Sequence, residues 1–117
     1  MKPTYYNIRA NKGVKPVKGY IIDETLTDRF GLPIRIGVHD CRKNDMQGDG
    51  WLLDDLETGY ALNQVPLSTR QKAVERYFYY YRMKMRSLAN AASDGDTLTN
   101  WYERKVAEFD EMQGVVK

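Results

Sequence analysis

The chain of 117 residues has few of the residue types on which catalytic and disulfide-bonded sites depend. It contains one cysteine, Cys41, and one histidine, His39. A single cysteine excludes a disulfide within the chain, and we expect a reducing, cytoplasmic location. Catalysis normally needs a nucleophile with its base, paired carboxylates or several metal ligands that converge. We therefore expect no enzymatic activity, no cofactor and no metal.

Long apolar runs are also missing. No stretch approaches the roughly 18 apolar residues that a membrane-spanning helix requires, and residues 1–6 lack the apolar segment of a signal peptide. We accordingly expect no membrane partner. Hydrophobic residues make up 42% of the chain and charged residues 29%, which is typical of a folded domain.

Three patterns hint at metal chemistry, and each falls short of a site. His39 and Cys41 share a strand face, but a zinc site needs three or four protein ligands. The segment Asp45–Gly50 resembles the start of a calcium-binding loop, but Leu56 stands where the bidentate Glu is required. A cluster of carboxylates surrounds the predicted turn that follows: Asp54, Asp55 and Glu57. We interpret these carboxylates as solvated.

Charge is segregated along the chain, although the net charge is only +2. Residues 1–22 hold five bases and no acid, and residues 67–92 hold six bases and one acid. Between them, residues 23–66 hold four bases and nine acids. Residues 93–117 hold three bases and six acids. This pattern either steers a charged partner or is satisfied within the fold, where a basic helix meets an acidic sheet.

Periodicity predicts an α+β fold. Ile34, Ile36 and Val38 alternate with polar or small residues, which is typical of a half-buried strand. We predict an antiparallel three- to four-stranded β-meander at about residues 19–63. An antiparallel helical hairpin, at about residues 68–92 and 99–113, follows and packs on it.

The beginning of the chain contains residues that disfavour regular structure. Pro3, Gly13 and Pro16 interrupt residues 1–18, which carry five bases. We predict a basic extended N-terminal arm at residues 1–18 and a single α+β domain at residues 19–117.

The first predicted helix has bulky side chains on more than one side. At about 100° per residue, one stripe faces the core: Val74, Tyr77, Phe78, Tyr81, Met85, Leu88 and Ala92. The opposite side carries further aromatic, Met and basic residues, which are enriched at interface centres. We predict that these form a protein-binding face: Arg76, Tyr79, Tyr80, Met83 and Arg86. Plain solvent exposure and coverage by the N-terminal segment remain alternatives.

Basic residues of the arm and of this helix support a second hypothesis, nucleic-acid binding. The predicted contacts to phosphates or to an acidic partner are Lys12, Lys15, Lys18, Lys72, Arg82 and Lys84. The acidic sheet would repel a phosphate backbone, and the near-neutral total charge is low for such a domain. We therefore favour protein binding, with a homodimer through the same face as a variant.

The order of sheet and helix, with Ser68–Ala73 opening the helix, resembles the arm-binding domains of phage-type integrases over about half of the chain. In size and lack of motifs the chain is similar to phage and mobile-element accessory proteins, including anti-CRISPR inhibitors. The first resemblance is one of fold alone. The second implies a small inhibitor or adaptor whose partner is another protein, such as a nucleic-acid-handling complex.

Overall fold

The computed structural model describes residues 2–10, 13–27, 33–46, 48–91 and 98–114. Within these ranges the side chains of residues 23–27, 33–34, 78, 84–91 and 98–99 are not described.

In the described ranges the sheet has four strands, and each neighbouring pair is antiparallel, in the order β1-β2-β3-β4. The strands are β1 Thr4–Ala10, β2 Gly13–Thr27, β3 Pro33–Asp40 and β4 Trp51–Asp55. A 3₁₀ turn at Cys41–Lys43 follows β3, and the helices α1 (Arg70–Ala91) and α2 (Leu98–Met112) follow the sheet. The predicted α+β class, with an antiparallel meander before two helices, is confirmed.

Residues 1–18 do not form the predicted extended arm. They contain β1 and the first part of β2, with Asn7 opposite Pro16, so the predicted domain boundary falls inside β2. The N–H of Arg9 points away from β2, to the carbonyl of Gly59. By alternation, Asn7 and Pro16 form a pair without backbone hydrogen bonds. The missing N–H of Pro16 therefore costs this hairpin no hydrogen bond.

The predicted meander extends to about residue 63, which implies a further strand after β4. There, Ala61 forms an isolated bridge to Asp54 instead. Gly59 takes a φ of 77°, as predicted for a tight turn. A side chain at this position would also collide with the ring of Phe109 on α2. The fourth strand of the sheet is thus β1, and the turn at Gly59 is a docking point for α2.

One face of the sheet forms the apolar core with both helices. Alternate residues of a strand share a face, and antiparallel partners stand opposite each other on that face. The register places Tyr20, Val38 and Leu53 in one row, and Ile22, Ile36 and Asp55 in another. The core cluster combines sheet and helix residues: Ile22, Ile36, Val38, Leu53, Leu62, Ala73, Tyr81 and Tyr102.

The opposite face of the sheet is buried too. Ile8, Val17 and His39 on this face are at most 5% exposed. The N–H of Arg9 on β1 donates to the carbonyl of Gly59, just after β4, at 3.0 Å. This hydrogen bond shows that the sheet curls until its two edges meet. In a flat sheet β1 and β4 would lie about 14 Å apart. We call the enclosed space the curl interior.

The helices begin and end close to the predicted residues. The hydroxyl of Thr69 accepts a hydrogen bond from the N–H of Lys72 at 3.2 Å, so Thr69 is the N-cap of α1. Gly114 follows α2 with a φ of 74°, as expected of a residue that terminates a helix. In the described ranges, neither helix is long and apolar enough to cross a membrane.

Candidate functional site

The predicted protein-binding face lies on the outer side of α1. Tyr79 is 61% exposed and Met83 is 52% exposed, and Arg76 is exposed as well. Because residues three and four apart are neighbours on a helix surface, these three side chains form one continuous strip. We call Arg76, Tyr79 and Met83 the outer strip.

Tyr80 differs from the prediction. It is only partly exposed and packs against the core cluster. Its ring meets the ring of Tyr79 edge-on, with centroids 5.4 Å apart and an interplanar angle of 76°. Tyr80 therefore supports Tyr79 from the core side and offers a partner less surface than Tyr79 does. The predicted contribution of Arg86 falls on a side chain outside the described residues.

The six bases predicted to contact phosphates or an acidic partner are spread over two elements. Lys12 and the side chain of Lys84 lie outside the described residues. Lys15 is half-buried, and its Nζ donates to the carbonyl of Asp45 at 3.3 Å. The other three are exposed: Lys18 on β2, and Lys72 and Arg82 on α1. Since residues 4–10 and 13–18 belong to β1 and β2, they do not offer the extended basic arm that the nucleic-acid hypothesis invoked.

A buried polar cluster, which the sequence analysis did not predict, lies in the curl interior. The hydroxyl of Tyr6 donates to Oδ2 of Asp54 at 2.7 Å, and Nδ1 of His39 lies 2.5 Å from the same oxygen. His39 and Asp54 are 0% and 1% exposed. The ring of Tyr6 passes over Gly19 and Gly37: a Cβ at Gly37 would lie 2.6 Å from the ring, and one at Gly19 would lie 3.1 Å from it and collide with the Val38 carbonyl. Glycine inside a strand often marks such a close approach, and these two residues were the available signal.

Burial controls the protonation of this cluster. It raises the pKa of the Asp54 carboxyl, while the hydrogen bonds from His39 and Tyr6 oppose the rise. Burial and the nearby Asp54 carboxyl also raise the pKa of the Tyr6 hydroxyl well above its usual range. Among the described residues, none is placed to hydrogen-bond Nε2 of His39. These groups are the types used in acid–base catalysis, but at this burial a substrate reaches them only if the sheet opens.

Asp55 points to the other side of β4, into the helix-covered core. Its carboxylate accepts hydrogen bonds from the hydroxyls of Thr58 at 2.9 Å and Tyr102 at 3.1 Å. Burial raises the pKa of Asp55 to about 6. The prediction of solvated carboxylates is thus wrong for Asp54 and Asp55, which are both 1% exposed. Consecutive strand residues point to opposite faces, and both faces are buried here.

Arg9 joins the edge strand to α2. Its Nε donates to the carbonyl of Thr58 at 2.6 Å, and Nη2 donates to the carbonyl of Lys105 at 3.0 Å. The guanidinium also pairs with Glu108, whose pKa it lowers, and lies 4.2 Å from the centroid of the Tyr60 ring. A residue counted with the basic arm is therefore a structural tie between β1 and α2.

Cys41 is buried in the 3₁₀ turn after β3. Burial raises the pKa of its thiol, and the neighbouring Asp54 and Asp40 carboxylates add to this rise. Both effects disfavour the thiolate, which is the form that binds metals and acts as a nucleophile. Across the described part of the chain, no group of three or more His, Cys, Asp or Glu side chains is placed to hold a metal ion.

A fold does not by itself imply a function, because one architecture serves many unrelated activities. Similarity to a characterised protein would narrow the choice of function. No protein-family model, no curated protein and no solved structure matches this chain.

Proposed function

We propose that this chain is a non-catalytic protein-binding module, an inhibitor or adaptor of the phage or mobile-element accessory type. It binds another protein through the outer strip of α1. The observation that carries the proposal is the exposure of Tyr79 and Met83, two large apolar side chains one helical turn apart. Moving one such side chain from water into an interface contributes about 1.5–3 kcal/mol.

The charges around the strip indicate the partner. Lys72 and Arg76 are exposed on the same helix, and neither forms an ion pair with a described residue. A partner that is acidic at its rim and apolar at its centre would match this pattern. Glu75 is the exposed acid between them. We therefore place apolar contacts at Tyr79 and Met83 and charge contacts at the two bases.

The non-catalytic part of the proposal is supported by the placement of the chain's acid–base groups. The single histidine and its carboxylate partner lie in the curl interior, at 0% and 1% exposure. A substrate therefore cannot reach His39 or Asp54 in this conformation.

The test compares two double variants in a pull-down from cells that produce the protein. Tyr79→Ser with Met83→Ser removes the apolar part of the outer strip. Tyr5→Ser with Val65→Ser is the matched control, because these residues are 70% and 77% exposed but lie off α1. A partner captured by the wild type and by the control should be lost with the α1 variant. The affinity of the purified partner should fall at least tenfold, since interface anchors typically cost more than 1 kcal/mol each.

Two further outcomes bear on the proposal. Light scattering measures the oligomeric state of the wild type and of the α1 variant. If the wild type is a dimer and the variant is a monomer, the partner of the outer strip is a second copy of this chain. Equal capture of the same proteins by both double variants would refute the proposal. Urea unfolding checks that Tyr79→Ser with Met83→Ser lowers the free energy of unfolding by only about 0.5 kcal/mol, the usual range for surface changes.

A further inference from the structure

A second exposed surface, away from the outer strip, combines bases with aromatic rings. It lies where Arg70, the first residue of α1, contacts β2. The guanidinium carbon of Arg70 lies 4.3 Å from the centroid of the Tyr20 ring, and this ring lies 6.2 Å from the ring of Trp51. Both rings pack against the core cluster and remain partly exposed. The rings of Tyr20 and Trp51 lie side by side, and the guanidinium of Arg70 covers the Tyr20 ring; together the three groups form a layer.

Bases surround this layer. Lys18 precedes Tyr20 by two residues on the same strand face, and its backbone N–H and carbonyl are bonded to the side-chain amide of Asn44 at 2.7 and 3.0 Å. This link places the turn that carries Lys43 beside Lys18. Arg42 lies on the same turn and is held by Asp40, which stands opposite Trp51 in the register.

We call this surface the basic–aromatic patch: Lys18, Tyr20, Arg42, Lys43, Trp51 and Arg70. Among the described residues, no carboxylate forms an ion pair with Lys18, Lys43 or Arg70. Asp40 neutralises Arg42 and is only 4% exposed, whereas Asp45 and Asp49 are exposed nearby. The patch thus has three cations without an ion-pair partner among the described residues, beside two partly exposed rings.

We propose that this patch binds single-stranded nucleic acid. Phosphates would contact Lys18, Lys43 and Arg70, and an unpaired base would stack on the layer formed by Arg70, Tyr20 and Trp51. Aromatic rings and guanidinium planes both accept stacked bases, and flanking cations follow the phosphate backbone. In a duplex the faces of the bases are stacked inside the helix, so a duplex would contact only the charged groups of the patch. The positive end of the α1 dipole at Arg70 adds to the attraction for phosphate.

The surface differs from the one that sequence reasoning assigned to nucleic acid. Only Lys18 belongs to both sets, and the other five residues come from β2, the 3₁₀ turn, β4 and α1. The proposal is also independent of protein binding through the outer strip, so either can fail while the other holds.

The test measures fluorescence anisotropy of labelled single strands of about 12 nucleotides, oligo(dT) and oligo(U), with a duplex and heparin as comparisons. With three phosphate contacts, the logarithm of the binding constant should fall with the logarithm of salt concentration at a slope of about −2. Lys18→Ala with Lys43→Ala should weaken binding about tenfold or more at about 0.1 M salt and reduce the slope by about 1.4. Lys72→Ala with Arg76→Ala removes the same charge from the outer side of α1 and should leave affinity within about twofold.

Two further measurements test the stacking. Arg70→Lys keeps the charge but removes the planar group, so affinity should fall severalfold with an unchanged salt slope. In a Trp101→Phe background, where Trp51 is the remaining tryptophan, a single strand should quench the emission and heparin should not.

Three results would overturn the proposal. The first is no binding of either oligonucleotide at low salt. The second is equal binding of heparin, duplex and single strand without quenching. The third is an equal loss of affinity in the two double-alanine variants.

Discussion

The pH dependence of stability offers a direct test of the burial of Asp55. This carboxyl is 1% exposed and accepts hydrogen bonds from Thr58 and Tyr102. Its pKa is raised from 3.8 to about 6, chiefly by burial, so the folded protein binds this proton more tightly than the unfolded chain. The stability that Asp55 contributes is full below about pH 3.8 and is lost as the pH rises through about 6. The amount is about 3 kcal/mol.

The variant Asp55→Asn isolates this effect. Asn has nearly the same shape as Asp. Its side-chain amide can accept a hydrogen bond from one of the two neighbouring hydroxyls, of Thr58 and Tyr102, and donate one to the oxygen of the other. The free energy of unfolding of the wild type minus that of the variant should therefore fall by about 2 kcal/mol between pH 4 and pH 8, because the unfolded carboxyl is already partly ionised at pH 4. Other carboxyls with shifted pKa values, such as Asp40 and Glu108, occur in both proteins and cancel in the difference.

Urea unfolding followed by tryptophan fluorescence at a series of pH values measures this difference, and an NMR titration of the Asp55 carboxyl carbon checks its origin. A difference that stays constant between pH 4 and pH 8 would refute the reasoning. It would mean that water reaches Asp55 in the folded protein.

Two further predictions concern the ties of the edge strand. Gly37→Ala places a methyl group 2.6 Å from the ring of Tyr6 and should lower the free energy of unfolding by about 1–3 kcal/mol. The loss should shrink in a Tyr6→Leu background, whereas equal losses in both backgrounds would contradict the contact. Arg9→Ala should cost about 2–3 kcal/mol in urea unfolding, because two backbone carbonyls lose a charged donor. Arg9→Lys should not restore this stability, since one ammonium group cannot reach both carbonyls, and full rescue by Lys would refute that geometry.

The helices were predictable because their signals are local. The spacing of apolar residues predicted which side of α1 faces the core, and Tyr81, at 1% exposure, confirms it. The cap residue Thr69 and the terminal Gly114 act through hydrogen bonds and dihedral angles within a few residues. The exposure of Tyr79 and Met83 followed from the same periodicity.

The edge strand β1 was missed because its evidence is not local. Pro16 and Gly13 normally disfavour strands, yet Pro16 sits where β2 needs no N–H toward β1, and Gly13 takes a φ of 113° at the start of β2. Which N–H groups of β2 need partners depends on the register with β1. No window of the sequence contains that register.

By itself, the sequence determined the class of the fold, the extent and inner face of the helices, and the exposed strip on α1, because these depend on periodicity and on contacts between near neighbours. Only the tertiary structure decided the burial of Asp54 and Asp55, the cluster of Tyr6 with His39, and the basic–aromatic patch. Each of these depends on how the sheet curls and where α1 begins relative to it. Such placements bring together residues that lie far apart in the chain, and their physical origin is the pairing of strands and the packing of helices on them.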